Sequence, residues 1–276
     1  MPVTFNEEAH RYTSTSGEVY TSVTSLIKKY TPPFDADYWS AYKALKAVLS
    51  ETGEWDSYKK KAGGWENVVV FARSIDKDFP YRRQVIEKKR EILAEWESSK
   101  ELALSKGTEY HKMKEQHVKE KIVYSPDMTE LKVLSGIDLL AAQDFSNNGL
   151  YPELMIYNDE WRIAGQVDWV MKVGKTVHIK DYKTSKEISK TAFQSQTLLA
   201  PLSSVPNANF YVYSLQISLY ALMLEQTGYE IGNLAIEHVD KESFQTIGMY
   251  PVEYMRKEAM KLVKHHVKEM KKEHYA

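Results

Sequence analysis

The 276-residue chain has no cysteine. That excludes a disulfide framework, a thiolate zinc site and a cysteine-ligated iron–sulfur cluster. It also suits a reducing cytosol, so a cytoplasmic location is expected. No apolar run approaches the roughly 18 to 20 residues of a membrane span, and no membrane partner is expected. The start, MPVTFNEEAH, has neither the basic opening nor the apolar stretch of a signal peptide. Charge of one sign is lacking too: the formal net charge is −1. Any nucleic-acid binding must therefore come from local basic patches rather than from a global field. At 43% hydrophobic and 27% charged residues, the chain has what a globular core needs.

The pattern along the chain predicts a mixed α/β fold. Thr4 to Tyr20 alternates loosely around TSTSG and reads as a small hairpin. SVTSLIKKY then starts a helix, with Ser22 or Thr21 as N-cap, and TPPF (Thr31 to Phe34) breaks it. From about Asp35 to His117 the chain reads as helices, interrupted near Ala62–Trp65 and at Pro80. Val85, Ile86, Leu93 and Trp96 form an apolar stripe on the last of these helices, and Gly107 suggests a boundary.

The stretch from Pro152 to Thr184 is rich in β-branched and aromatic residues, with turn signals at Asn158-Asp159 and Gly174-Lys175, and reads as three antiparallel strands. Leu215, Leu219 and Leu222 then recur at helical spacing. One further strand is expected at Asn233–Asp240, and an amphipathic helix over Pro251–His274 carrying Met255, Met260, Leu262 and Val263.

The chemistry sits in HIKDYKTSK, His178 to Lys186. If Gly174-Lys175 is a two-residue turn, Val173 pairs with Thr176 and the register runs back to Asp168 opposite Asp181. Side chains alternate along a strand, so Val177, Ile179, Asp181 and Lys183 share a face. Two carboxylates and an ammonium then converge at the end of an apolar ladder. Like charges opposed across a sheet are destabilising, and a divalent ion held by oxygen ligands would compensate. Mg²⁺ or Mn²⁺ on Asp168 and Asp181, with Lys183 beside them, is the chemistry of phosphodiester hydrolysis. The bland alternative is a surface hairpin with an ordinary Asp181–Lys183 salt bridge.

GQVDWV…HIKDYKT resembles the core motif of the PD-(D/E)xK nuclease superfamily, especially its RecB-like branch. Three further elements match in order: GTEYH (Gly107 to His111), PELMIY with Glu153, and QISLY (Gln216 to Tyr220). Together they span Gly107 to Tyr220, less than half the chain. The resemblance implies a mixed central sheet flanked by helices, with Asp168, Asp181 and Lys183 catalytic. It implies a metal held by His111, Asp168, Asp181 and Glu153, and DNA contacts from Gln216 and Tyr220. A histidine with two aspartates is a coherent Mn²⁺ donor set.

Some RecB-like nucleases carry a four-cysteine iron–sulfur cluster; this chain resembles the members without one. The opening is similar to that of single-strand exonucleases of the phage and mitochondrial genome maintenance type, in which a helical segment arches around the strand. That likeness suggests residues 1–34 as a hairpin and helix packed on the core, 35–105 as a helical arch and 106–276 as the nuclease core.

Basic clusters in the 35–105 segment, including Lys59, Lys60, Arg82 and Arg83, lie among Trp55, Tyr58, Trp65, Phe71 and Tyr81. Cations and rings so interleaved suit single-stranded DNA, and equally a solvated helix face over core aromatics. The expectation is a metal-dependent DNA exonuclease acting on single-stranded ends, in replication, repair or recombination and possibly of phage origin. A structure-specific or restriction-like endonuclease and a non-catalytic DNA-binding module stay open.

Overall fold

The computed structural model describes residues 3–6, 9, 11–64, 67–68, 77–119, 122–134 and 145–274. Trp65 and Phe71 lie outside them. The chain forms two compact units, Met1–Pro32 with Lys106–Ala276, and Pro33–Ser105.

The first unit is built on an eight-stranded mixed sheet. Where a hairpin was expected, the start makes three antiparallel strands, β1 (Val3–Asn6), β2 (Arg11–Ser14) and β3 (Val19–Ser22). Ser22 caps helix α1 (Val23–Lys28), accepting from Ser25 N at 3.0 Å. A small antiparallel pair, β4 (Val123–Tyr124) and β5 (Glu130–Leu131), stands apart from the main sheet.

The three strands read from the central motif are β6 (Gly149–Asn158), β7 (Ile163–Val173) and β8 (Thr176–Lys183). Both junctions are antiparallel, and Val173 pairs with Thr176 across the expected turn. Ahead of these strands in the chain come helices α2 (Ala36–Glu51), α3 (Trp55–Ala62) and α4 (Arg82–Lys119). After them, helix α5 (Asn209–Gln226) is buried nearly all round, as its lack of a polar face requires.

Strand β9 (Glu230–Val239) then lies parallel to β8. Strand β10 (Thr246–Val252) forms the edge, and helix α6 (Arg256–His274) follows. The helix expected over Pro251–His274 begins at Arg256, and Pro251 belongs to β10. Pro251 pairs with Ala235, and an edge strand tolerates proline because its absent N–H points away from the ladder.

Helices α1, α5 and α6 cover one face of the sheet in a single apolar core that includes Leu26, Val167, Ile179, Leu215, Ile236 and Leu262. On the other face Tyr110, from the last turns of α4, packs with Tyr182 and Val239. Helix α4 passes through Gly107 without ending. A Cβ there would meet only Thr184 Oγ1 at 3.8 Å, so glycine neither breaks the helix nor is demanded by space.

The second unit is helical. Ala41, Ala44, Leu45, Val48 and Leu49 repeat along one face of α2 and pack with Val85 and Ile92 of α4. Of the four residues expected on the α4 stripe, Val85 is buried, whereas Ile86, Leu93 and Trp96 are intermediate.

Candidate active site

The site forms where two strands part. The β7–β8 pairs run from Val173–Thr176 to Trp169–Lys180 and stop, while β8 continues along β9 as far as Lys183–His238. Farther back, the same side of β7 is taken by β3 at Ile163 and Ala164. Residues 165–168 lie in the fork between those partners. The Asp168 carboxylate fills it, with Oδ2 accepting the Tyr182 backbone N–H at 2.6 Å. The ladder thus ends one step before the Asp168–Asp181 pair the hairpin count predicted, because the strands splay there and the acid bonds to backbone instead.

On the other side of β7, the pairs Pro152–Trp169 and Leu154–Val167 flank Glu153 and Asp168. Their register sets Glu153 opposite Asp168. Glu153 has φ 53°, in the left-handed region. A non-glycine residue so held costs about 1–3 kcal/mol and persists only where its surroundings over-determine it. Such residues concentrate at functional sites. His111 reaches this pair from α4, its Nδ1 3.3 Å from Asp168 Oδ1 and 3.4 Å from Glu153 Oε1. One donor atom from each of His111, Glu153 and Asp168 can be chosen so that all lie within 4.8 Å of one another.

Asp181 and Lys183 lie at the end of β8. Lys183 Nζ stands 2.5 Å from Asp181 Oδ2, while Gln216 Nε2 donates to Oδ1 at 2.9 Å. The lysine contact is an ion pair without hydrogen-bond geometry, so Oδ2 is buried with no hydrogen-bond partner among the described residues. Asp181 is not in the three-residue donor cluster.

Gln216 also donates to Tyr220 Oη at 3.3 Å. Both of these side chains are inside, at 8% and 3% exposed, and face the acid rather than solvent. The Tyr220 ring explains the glycine of the GQVD motif: a Cβ on Gly165 would lie 2.6 Å from Tyr220 Cε1, closer than any real contact.

The charges are strongly coupled. Burial pushes the Asp181 carboxyl up to about 6, and Asp168 adds to this against the pull of Lys183. Burial also raises Glu153 to about 7, with Asp168 and Glu115 reinforcing and His111 opposing. For Asp168 burial works upward too, but His111, Lys183 and the Tyr182 N–H outweigh it and hold the carboxyl below its ordinary range. Burial would lower His111, yet the Asp168 and Glu153 carboxylates overturn that and raise it to about 11.

Three acids, Asp168 and Asp181 buried and Glu153 half-buried, therefore crowd a position that draws a cation. A divalent ion fits the site on this chemistry: imidazole and carboxylate donors converge, and one buried carboxylate oxygen lacks a hydrogen bond.

Glu115 belongs to none of the motifs, although it lies four residues after His111 on the same helix, a spacing that marks one face. Tyr213, whose ring centroid is 4.9 Å from Lys183 Nζ, also lies outside them; nothing local in the sequence marks it.

In the second unit Lys59, Lys60, Arg82 and Arg83 are exposed. Arg83 pairs with Glu87 at 2.9 Å. The aromatic residues among them, Trp55, Tyr58 and Tyr81, pack against that unit's core.

Among the described residues no helix is long and apolar enough to cross a membrane. A search of curated proteins finds no match to the chain. A family model described as the PD-(D/E)XK nuclease superfamily matches residues 69–276. That is most of the sequence, and it contains the fork, the acids and Lys183. The chain belongs to the PD-(D/E)XK nuclease superfamily.

Proposed function

We propose that the protein is a metal-dependent deoxyribonuclease of the RecB-like branch that digests DNA from single-stranded ends during replication, repair or recombination. The observation that carries this reading is the convergence of His111, Glu153 and Asp168 beside the Asp181–Lys183 pair. His111, Glu153, Asp168 and the Oδ2 of Asp181, which faces Lys183 but carries no hydrogen bond, would hold Mg²⁺ or Mn²⁺. The ion, when bound, supplies a Lewis acid for the phosphate and lowers the pKa of an attacking water.

The chain's own groups do the rest. The Tyr182 N–H fixes the rotamer of Asp168, and Gln216 fixes that of Asp181. The Lys183 ammonium, held cationic by Asp181 and Asp168 against burial, orients the water or stabilises charge that develops on the phosphate. Preference for ends is supported by the likeness of the opening residues to single-strand exonucleases and by the separate helical unit Pro33–Ser105. In this reading that unit is the arch, and Lys59, Lys60, Arg82 and Arg83 contact the strand.

The test uses 5′- and 3′-labelled linear single- and double-stranded DNA, plus a single-stranded circle, with Mg²⁺ or Mn²⁺. Short products from linear single strands, an intact circle and loss of activity in EDTA are expected. Cutting of the circle would make the protein an endonuclease. Manganese binding with no hydrolysis of any substrate would make it a non-catalytic DNA-binding module.

A further inference from the structure

Beyond Lys183 the chain enters a segment that the catalytic reading leaves unused. Residues 183–195 carry Lys183, Lys186 and Lys190 against a single acid, Glu187. Two of its cations lie against rings of α5. Lys183 Nζ is 4.9 Å from the Tyr213 ring. One turn earlier on α5, Phe210 contacts Tyr211 at 5.3 Å between centroids, and Lys190 Nζ sits 4.5 Å from Phe210. Phe210 is buried and seats the lysine, whereas three residues later Phe193 is 56% exposed.

The segment is held firmly at both ends. His238 Nε2 donates to Ser185 O at 2.7 Å. The Asn209 side chain donates to Glu187 O at 2.6 Å and accepts from Ser189 N at 2.7 Å. At the far end Asn207 N donates to Gln196 O at 2.8 Å. Between these ties, Gln194 and Ser195 adopt φ of 48° and 54°. Two successive non-glycine residues in the left-handed region store strain. The segment so fixed presents the Phe193 ring at the surface. A ring carried on a fixed backbone loses little entropy on binding.

We propose that this segment is a single-stranded DNA track leading away from the active site, with Phe193 stacking on a base and Lys190 and Lys186 meeting phosphates. The chemistry is that of sequence-tolerant strand binding, in which rings take bases and cations follow the backbone. Continuity with Lys183 makes the track deliver the strand to the fork, and in this respect it rests on the nuclease reading. It belongs to the sheet unit and does not depend on the helical one.

The experiment measures anisotropy of a fluorescein-labelled oligonucleotide with full-length protein in EDTA, and digestion of linear single strands in Mn²⁺. Phe193→Ala is expected to weaken binding about tenfold. It should raise KM by a similar factor with little change in kcat or melting temperature. Phe193→Trp should restore binding and Phe193→Leu should not, because only a ring stacks. Lys190→Ala should weaken binding and flatten its salt dependence.

Wild-type binding by both Phe193→Ala and Lys190→Ala would overturn the track, as would rescue by Leu as good as by Trp. Hydrolysis by wild-type protein with an unchanged KM in Phe193→Ala defeats the track and spares the nuclease reading. Oligonucleotide binding through Phe193 with no hydrolysis by wild-type protein does the reverse.

Discussion

The two units of the chain treat charge in opposite ways. In the helical unit the pairs Arg83–Glu87, Lys88–Glu91 and Lys100–Glu97 are helix-spaced and exposed, and Lys89 pairs with an exposed Asp37. Its interior is alanine, leucine, valine and isoleucine. In the sheet unit Asp168, Lys172, Asp181 and Glu237 are buried, along with His238 and His266. A buried ion pair is poor evidence of stability, since apolar residues of similar volume often do as well. Surface pairs contribute little and can be exchanged. The difference teaches where chemistry rather than stability accounts for the charges: in the sheet unit, and not in the helical one.

The largest effect is expected at the fork. Lys183→Ala and Asp181→Ala should each lower the rate of single-strand hydrolysis about 10³-fold or more, the scale at which a group stabilising developing charge acts. Normal digestion by both variants, measured under matched conditions, would remove the catalytic side of the contrast.

Next comes Glu237, which sits between Lys180 at 2.6 Å and Lys114 at 3.3 Å and accepts from Thr246 Oγ1 at 2.7 Å. Glu237→Ala leaves two lysines without their carboxylate and should cost about 3 kcal/mol in urea melts. The pH dependence has a definite sign. Burial raises the Glu237 pKa, but Lys180, Thr246 and Lys114 overcome this and hold it below the ordinary glutamate value. Its contribution is therefore complete above the unfolded pKa and is lost as pH falls through the folded one. The variant should be less acid-sensitive than wild type over that range; an unchanged acid limb would contradict the assignment.

Gly165→Ala tests the packing beneath the site. The new methyl would overlap the Tyr220 ring, and overpacking of this kind costs about 1–3 kcal/mol. Because Tyr220 Oη accepts from Gln216, which holds Asp181, activity should fall beyond what the melting temperature explains. Tyr220→Ala in the same background should recover part of the stability.

The smallest effect is reserved for the helical unit. Lys88→Ala with Glu91→Ala should leave stability in urea melts almost unchanged. A larger loss would mean that its surface charges are not exchangeable after all.

The hairpin and its reactive face were legible for a simple reason. Gly174-Lys175 is a turn signal, and period-two alternation carries Asp181 and Lys183 to one side without knowledge of anything else. Helix α5 was legible from apolar spacing, and α2 to α4 as a helical stretch interrupted near Ala62–Trp65 and at Pro80. The Glu153–Asp168 juxtaposition was visible only as a family likeness. Its geometry depends on the β6–β7 register and on a left-handed residue inside a strand, which no local pattern signals. Strand β10 was hidden by its glycine and proline and its exposed side chains, all of which an edge position permits. Gln216 and Tyr220 were recognised as a motif, but the direction they face was set by a contact across elements.

The sequence by itself determined the strand that ends in Asp181 and Lys183, the turn that starts it, the glycine two residues before Val167 and the absence of thiol chemistry. These follow from side-chain period, turn preference and composition, which act within a few residues. Only the tertiary structure decided that β7 and β8 splay apart at Asp168, that His111 arrives from α4 to meet Glu153, and that Gln216 turns inward to hold Asp181. Those outcomes depend on which strand takes which edge of β7 and on how α4 and α5 pack against the sheet. Such choices minimise the free energy of the whole core, and no segment makes them alone.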